Sequence, residues 1–205
     1  MSAQAHLNRI VSGTPPRRPA LWSLLGVFLL AALNLTAPLA AEDAGEFRIT
    51  DAHAWLSGAE LLLDAQVLIG LNRGPREALE NGVPLTFELQ VQLVRKHVWL
   101  WDSVVVEHVR VRRLEYHALS RSFLVRDMNT GRQGNFSRLE DALQAAGTID
   151  RLQLYSKPLD TNGGYEVRLR GSLDIESLPT PVRLLAYVSS DWDMQGDWYT
   201  WPLAR

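Results

Sequence analysis

The chain has no cysteine in its 205 residues. Disulfides, thiol nucleophiles, thiolate metal sites and thiol redox chemistry are therefore excluded, as is a lipid-modified cysteine behind an export leader. Several catalytic and nucleotide-binding signatures are missing too: there is no H-E-x-x-H, no G-x-S-x-G and no glycine-rich phosphate loop. Histidine is scarce. After residue 41 only His53, His97, His108 and His117 remain, and none has a second ligand at the spacing a zinc site needs. Packed or solvated rings are the expectation for all four, with a catalytic His beside Ser120 or Asp102 as the lesser alternative. The scattered Asp and Glu residues propose no particular pair for acid–base work. No metal, no cofactor and no catalytic residue is expected on these grounds.

Acidic residues are absent before Glu42, whereas three of the 21 bases precede it, which leaves 18 bases against 23 acids, or −5, in residues 42–205. That balance disfavours nucleic acid as a partner. The basic N-terminal stretch has its own meaning. Arg9, Arg17 and Arg18 lead into an apolar run, Ala20 to Leu35, interrupted only by Ser23 and Asn34, and Thr36-Ala37-Pro38-Leu39-Ala40-Ala41 follows with small residues. This is the tripartite layout of a secretory signal, with cleavage expected after Ala41. The run falls short of the roughly 20 residues that span a bilayer comfortably, so an uncleaved inner-membrane anchor facing the periplasm is the alternative. Pro19 directly after Arg17-Arg18 argues against the twin-arginine route. Residues 1–41 are thus expected to be a signal peptide or anchor, and 42–205 a single exported domain with no repeat or internal linker.

A hydrophobic content of 46% with 21% charged residues is enough for a folded core without disulfides. Alternation dominates the pattern. Strands are expected over Phe47–Trp55, Glu60–Leu71, Val83–Val94, Val98–Val111, Leu114–Val125 and Gln133–Phe136. Ser57-Gly58 and Asp127-Met128-Asn129-Thr130-Gly131 supply turns between them. Two helices interrupt the series. Pro75 to Gly82 has proline in its first turn and glycine past its end. Ser137 to Ala146 carries an apparent capping box, Ser137 with Glu140, and ends at Gly147. Arg110, Arg112 and Arg113, with Arg95 and Lys96, read as a basic patch on a solvated strand face, or as a contact for an anionic lipid or polymer. Trp99 and Trp101 share a face and are expected to pack.

The most organised stretch is Tyr165–Leu203. Tyr165, Val167, Leu169, Gly171, Leu173 and Ile175 fall on one face of a strand, and Glu166, Arg168, Arg170, Ser172 and Asp174 on the other. Asn162-Gly163-Gly164 is expected to turn Leu152–Tyr155 back onto this strand as a hairpin. Pro179 and Pro181 break it, and Val182–Val188 is expected to resume as a strand. Trp192, Trp198, Tyr199 and Trp201 then crowd into ten residues. Such rings serve either as a core plug or as an exposed surface for a glycan, peptide or lipid headgroup, and these four are the candidate interaction surface. Asp191-x-Asp193-x-Gln195-Gly196-Asp197 begins like a calcium loop, but Pro202 stands where the bidentate Glu belongs.

Leu173-Asp174-Ile175-Glu176-Ser177-Leu178-Pro179, Ser189-Ser190-Asp191-Trp192 and Trp198-Tyr199-x-Trp201, preceded by Glu77-Ala78-Leu79-x-x-Gly82-Val83-Pro84-Leu85, Tyr116-His117-x-Leu119-Ser120 and Leu139-x-x-Ala142-Leu143, together resemble the bacterial family called domain of unknown function 4390, some of whose members are labelled proline-rich signal peptide proteins. The resemblance spans about residues 45–203. It implies an exported, uncharacterised protein and transfers no catalytic residue.

The fold expected is mainly β: an antiparallel β-sandwich, Ig-like in general architecture, with two short helices, preceded by the N-terminal apolar signal segment. The function expected is that of a non-enzymatic binding or interaction module in the periplasm, partnered by an envelope protein or polymer and touching the membrane only if the leader stays uncut. The alternative is a periplasmic hydrolase acting on a cell-envelope polymer.

Overall fold

The computed structural model describes residues 46–97, 101–160 and 163–203, all within a unit running from Asp43 to Arg205. The expected leader and Trp99 lie outside the described residues. Among those described, no helix is long and apolar enough to cross a membrane.

The domain is mainly β and its strands pair antiparallel in two sheets. In the first, β1 (Glu46–Ser57) meets β2 (Glu60–Gly70) across a two-residue turn, with Gly58 at φ +65°. β7 (Thr148–Tyr155) takes the other side of β2. The second sheet has six strands in the order β6 (Gln133–Phe136), β5 (Ser122–Asp127), β4 (Ser103–His117), β3 (Leu85–Lys96), β8 (Gly164–Leu173) and β9 (Tyr199–Pro202). Helix α1 (Arg73–Glu80) links β2 to β3, α2 (Leu139–Ala146) links β6 to β7, and α3 (Thr180–Ala186) lies between β8 and β9, followed by a 3-10 turn, Ser190–Trp192.

Alternation explains why these strands assemble. Leu85, Phe87, Leu89, Val91 and Leu93 of β3 are completely buried, as are Leu61, Leu63 and Val67 of β2. Each such side chain contributes roughly 1.5–3 kcal/mol by leaving water. One core cluster draws on both sheets and on α2. Phe47 of β1 reaches Phe87 of β3 edge to face, with ring centroids 6.1 Å apart. Gly171 of β8 makes room for that ring, since a Cβ there would lie 2.3 Å from Phe47 Cδ1.

Five local expectations are corrected. Trp101, expected to pack, is instead 94% exposed just ahead of β4. Leu152–Tyr155 does not form a hairpin with β8; it belongs to β7 and pairs with β2, Leu63 opposite Leu152. β8 pairs instead with β3 over ten positions and with β9. A turn signal reports that the chain reverses, whereas the partner is chosen by matching apolar faces far apart in sequence. Val182–Val188 is not a strand, because α3 begins at Thr180 with Pro181 in its first turn, where a missing N–H removes no helical hydrogen bond. The capping box is not formed: Arg138 occupies the N-cap of α2 without a side-chain hydrogen bond, and Glu140 and Asp141 face the positive end of the helix dipole instead. Finally, β4 runs unbroken through Arg112 and Arg113 to His117, and the chain reverses only at residues 118–121. The three arginines read as exposed are thus built into a long strand.

Gly147 closes α2 as expected, but at φ −83°, which any residue can adopt. It is glycine because the helix end lies directly on β2: a Cβ would fall 1.9 Å from the Val67 carbonyl oxygen. The Val67 amide donates to the Gly147 carbonyl at 2.9 Å. Gln66 reinforces the seam, donating to the Gln144 carbonyl at 3.1 Å and accepting from the Thr148 hydroxyl at 2.8 Å.

Candidate functional site

The four aromatic residues singled out by the sequence are placed in three different environments. Trp192 is buried in the core, its ring against Gly74 of α1, and Asn72 Nδ2 donates to the Asp191 carbonyl at 2.8 Å beside it. Trp198 is half-buried under the guanidinium of Arg170, which sits 4.5 Å from the ring centroid. Arg170 in turn donates to Gln90 Oε1 at 2.6 Å. Tyr199 and Trp201 come together, with centroids 5.5 Å apart. They stand opposite Leu169 and Val167 on the edge strand β9, so they continue the buried face of β8 outward: Trp201 packs on the core and Tyr199 is exposed.

A more exposed apolar surface lies just before them. Leu184, Leu185, Tyr187 and Val188 are 62, 64, 56 and 83% exposed. Read as a strand, this segment would alternate between faces; as a short helix followed by a turn it presents the four side chains largely to solvent. Only Ala186 of α3 is buried. The helix is tied down by polar contacts. Arg183 donates to the Glu176 carbonyl at 2.7 Å, and the Tyr187 hydroxyl donates to the Glu176 carboxylate at 2.5 Å.

Behind α3 lies a cleft of about 580 Å³ lined by Glu88, Asp174, Tyr187, Trp192 and Asp193, among others. Glu88 extends from β3, next to β8. Burial pushes its carboxyl above the usual value, and the charge of Asp174 adds to the shift.

The basic patch separates into distinct ion pairs. Arg95 pairs with Asp160 at 2.6 Å and Lys96 with Asp102 at 2.8 Å; Asp102 also holds Arg168 at 3.0 Å. Arg113 lies 2.9 Å from Glu115. Arg110 and Arg112 go elsewhere. They stand opposite Leu89 and Phe87, the buried face of β3, and both reach Asp127, at 3.4 and 3.0 Å respectively. The phase of β4 carries the signal for this: with Leu114 turned inward, Arg112, Arg110 and His108 follow on the same face. Asp127, read only as a turn residue, anchors the turn through Oδ1, which accepts from the amides of Asn129 at 2.8 Å and Thr130 at 3.0 Å. Burial raises its pKa, yet the Thr130 side chain, Arg112 and the two amides outweigh that and hold the carboxyl below its ordinary value.

The histidines are dispersed. His108 Nε2 is 3.0 Å from the Leu154 carbonyl and so ties β4 to β7. His97 meets Ser103 Oγ at 3.2 Å, His53 stacks on Trp55, and His117 lies 3.9 Å from Glu115. Asp102 is engaged by Lys96 and Arg168, and Ser120 by Ser122. Among the described residues, no three His, Asp or Glu side chains gather as metal ligands.

No curated protein and no solved structure matches the chain. A family match covers residues 44–202, the whole of the two sheets and the segment carrying α3. The chain belongs to the family described as Domain of unknown function (DUF4390).

Proposed function

We propose that this protein is an exported bacterial envelope protein, and that its domain is a non-enzymatic interaction module working in the periplasm. The observation that carries the reading is the apolar surface of α3 and the turn after it: Leu184, Leu185, Tyr187 and Val188 are four solvent-facing side chains within five consecutive residues, on a segment tied to Glu176 through Arg183 and the Tyr187 hydroxyl. Contiguous exposed apolar side chains on a fixed scaffold are characteristic of protein–protein or membrane contact. The same reading takes the two sheets as the faces of an antiparallel β-sandwich, Ig-like in general architecture, which the shared core and the Phe47–Phe87 contact support. The apolar run Ala20–Leu35 supports export, by a leader that is cut or kept as an inner-membrane anchor.

A photo-crosslinking residue placed at Leu184 or Val188 in growing cells tests the proposal, with Leu119, fully exposed after β4, as the control position. One defined envelope component captured at 184 and 188 but not at 119 is the expected result. Equal capture at all three positions, or none, refutes the reading.

One observation favours a second reading, a hydrolase of an envelope polymer. Glu88, with its raised pKa, and Asp174 line one cleft, as an acid and a carboxylate would in glycoside or ester chemistry. Hydrolysis of isolated cell-wall material that is lost in E88Q would support it; undiminished activity in E88Q, or none in the wild type, would eliminate it.

A further inference from the structure

We infer that the inward-facing arginines of β4 form a binding site for a small oxyanion, distinct from the α3 surface and independent of its role. The site is a cleft of about 200 Å³ lined by Arg110, Arg112, Asp127, Arg132, Thr148 and Asp150, with further contributions from β5, β6 and α2. Its walls come from the end of the six-stranded sheet and from the start of β7.

The charges inside it do not balance. Arg112 and Arg110 retain only 8 and 19% of their side-chain exposure, and the one buried carboxylate, Asp127, is shared between them. Both oxygens of that carboxylate are already occupied: Oδ1 accepts two backbone amides, and Oδ2 faces both guanidinium groups. Arg110 Nε is left buried with no acceptor. An unmet buried donor is costly and uncommon in native structures, so its presence at a cleft calls for a partner. Arg132 contributes a third guanidinium from the β5–β6 turn and makes no ion pair among the described residues. Its charge and that of Arg110 both act on Arg112, whose pKa burial pulls down, Asp127 pulls up, and the two neighbouring arginines lower again. Asp150 also lines the cleft and, like Arg132, is exposed.

Three guanidinium groups against two carboxylates, one of them saturated, therefore leave a net positive cleft in which a further anion is stabilised. Guanidinium favours planar or tetrahedral oxyanions, which accept two hydrogen bonds at once. The volume admits a phosphate or carboxylate group with a few attached atoms. The ligand class is a small phosphate- or carboxylate-bearing molecule, free or as the headgroup end of a larger one.

Inorganic phosphate and acetate serve as probes, titrated into the folded protein against sodium chloride at matched ionic strength, with the Arg Nε–H resonances and the melting temperature as readouts. The expected result is a saturable shift of the Arg110 Nε–H resonance and a saturable rise in melting temperature that chloride does not reproduce. R132Q alters an exposed side chain and keeps the fold, and it should weaken binding about tenfold, the loss of one charge-assisted contact. R110K retains the charge but removes the Nε donor, and should also weaken binding. Phosphate dominating over acetate assigns a phosphate ligand, and the reverse a carboxylate. If phosphate, acetate and chloride act alike on the wild type, or if R132Q and R110K bind as the wild type does, the inference is wrong.

Discussion

Replacing Gly147 with alanine should unfold much of what a single methyl group can unfold. By ordinary helix-capping logic the change is mild, because φ at Gly147 is −83° and carries no left-handed strain. The tertiary contact decides otherwise. The added Cβ would lie 1.9 Å from the Val67 carbonyl oxygen, and real Cβ contacts do not fall below 3.0 Å, so helix and strand must separate by at least about 1 Å. The obstacle is backbone within the central strand of the smaller sheet, so no side chain can rotate away. Separation also lengthens the Val67 N–Gly147 O hydrogen bond, now 2.9 Å, at roughly 1–3 kcal/mol for a buried amide left unpaired. Overpacking adds about 1–3 kcal/mol. The expected loss is therefore about 3–5 kcal/mol, or a melting temperature lower by roughly 10–15 °C for a domain of this size. Urea unfolding of a chain spanning residues 42–205 measures it, with G82A as reference. Gly82 has φ +84° and nothing within 4 Å of a Cβ, so its substitution should cost only about 1–2 kcal/mol of backbone strain. If G147A loses less than G82A, the end of α2 does not lie directly on β2.

Three further outcomes follow from the same structure. D127N should lose about 3 kcal/mol at neutral pH, because it leaves Arg110 and Arg112 buried without their carboxylate. Since the folded pKa of Asp127 is depressed, that contribution is present above the unfolded carboxylate range and fades as pH falls through the folded value, so the gap between wild-type and D127N stability should close only in acid below the ordinary carboxylate range. Glu88 works in the opposite direction. With its folded pKa raised, the wild type is relieved of the penalty below the unfolded value and acquires it as pH rises; E88Q should melt higher than wild type at neutral pH and coincide with it below about pH 4, and a constant difference across pH would contradict the assignment. Intact mass of the protein recovered from fractionated cells should show a periplasmic species beginning near Glu42, whereas a full-length species in the membrane fraction would make residues 20–35 an anchor.

Much of the fold was legible because its strands carry one buried and one wet face. The period-2 patterns at 61–69, 85–93 and 165–173 mark core faces that the structure buries as expected. Turn chemistry was equally legible at Ser57-Gly58 and at 127–131, since positive φ at Gly58 and Gly131 is a local requirement. Family membership was legible too, carried by short motifs along the chain.

Partner choice was not local, and there the sequence was insufficient. Asn162-Gly163-Gly164 announces a reversal, yet β7 and β8 part to different sheets because β2 and β3 offer the matching apolar faces. Val182–Val188 holds apolar residues compatible with either period, and Pro181 settles it as a helix only when α3 can bury Ala186. The same ambiguity concealed the exposed side chains on which the functional proposal rests. Arg110, Arg112 and Arg113 form a run of positive charge in sequence, but strand phase sends the first two inward to Asp127 and leaves the third beside Glu115. Local pattern determined which residues are extended and which face is apolar, because those depend on neighbours one to four positions away. Tertiary structure alone decided which faces meet, and with them why Gly147 and Gly171 are glycines and where an unbalanced cluster of arginines is enclosed.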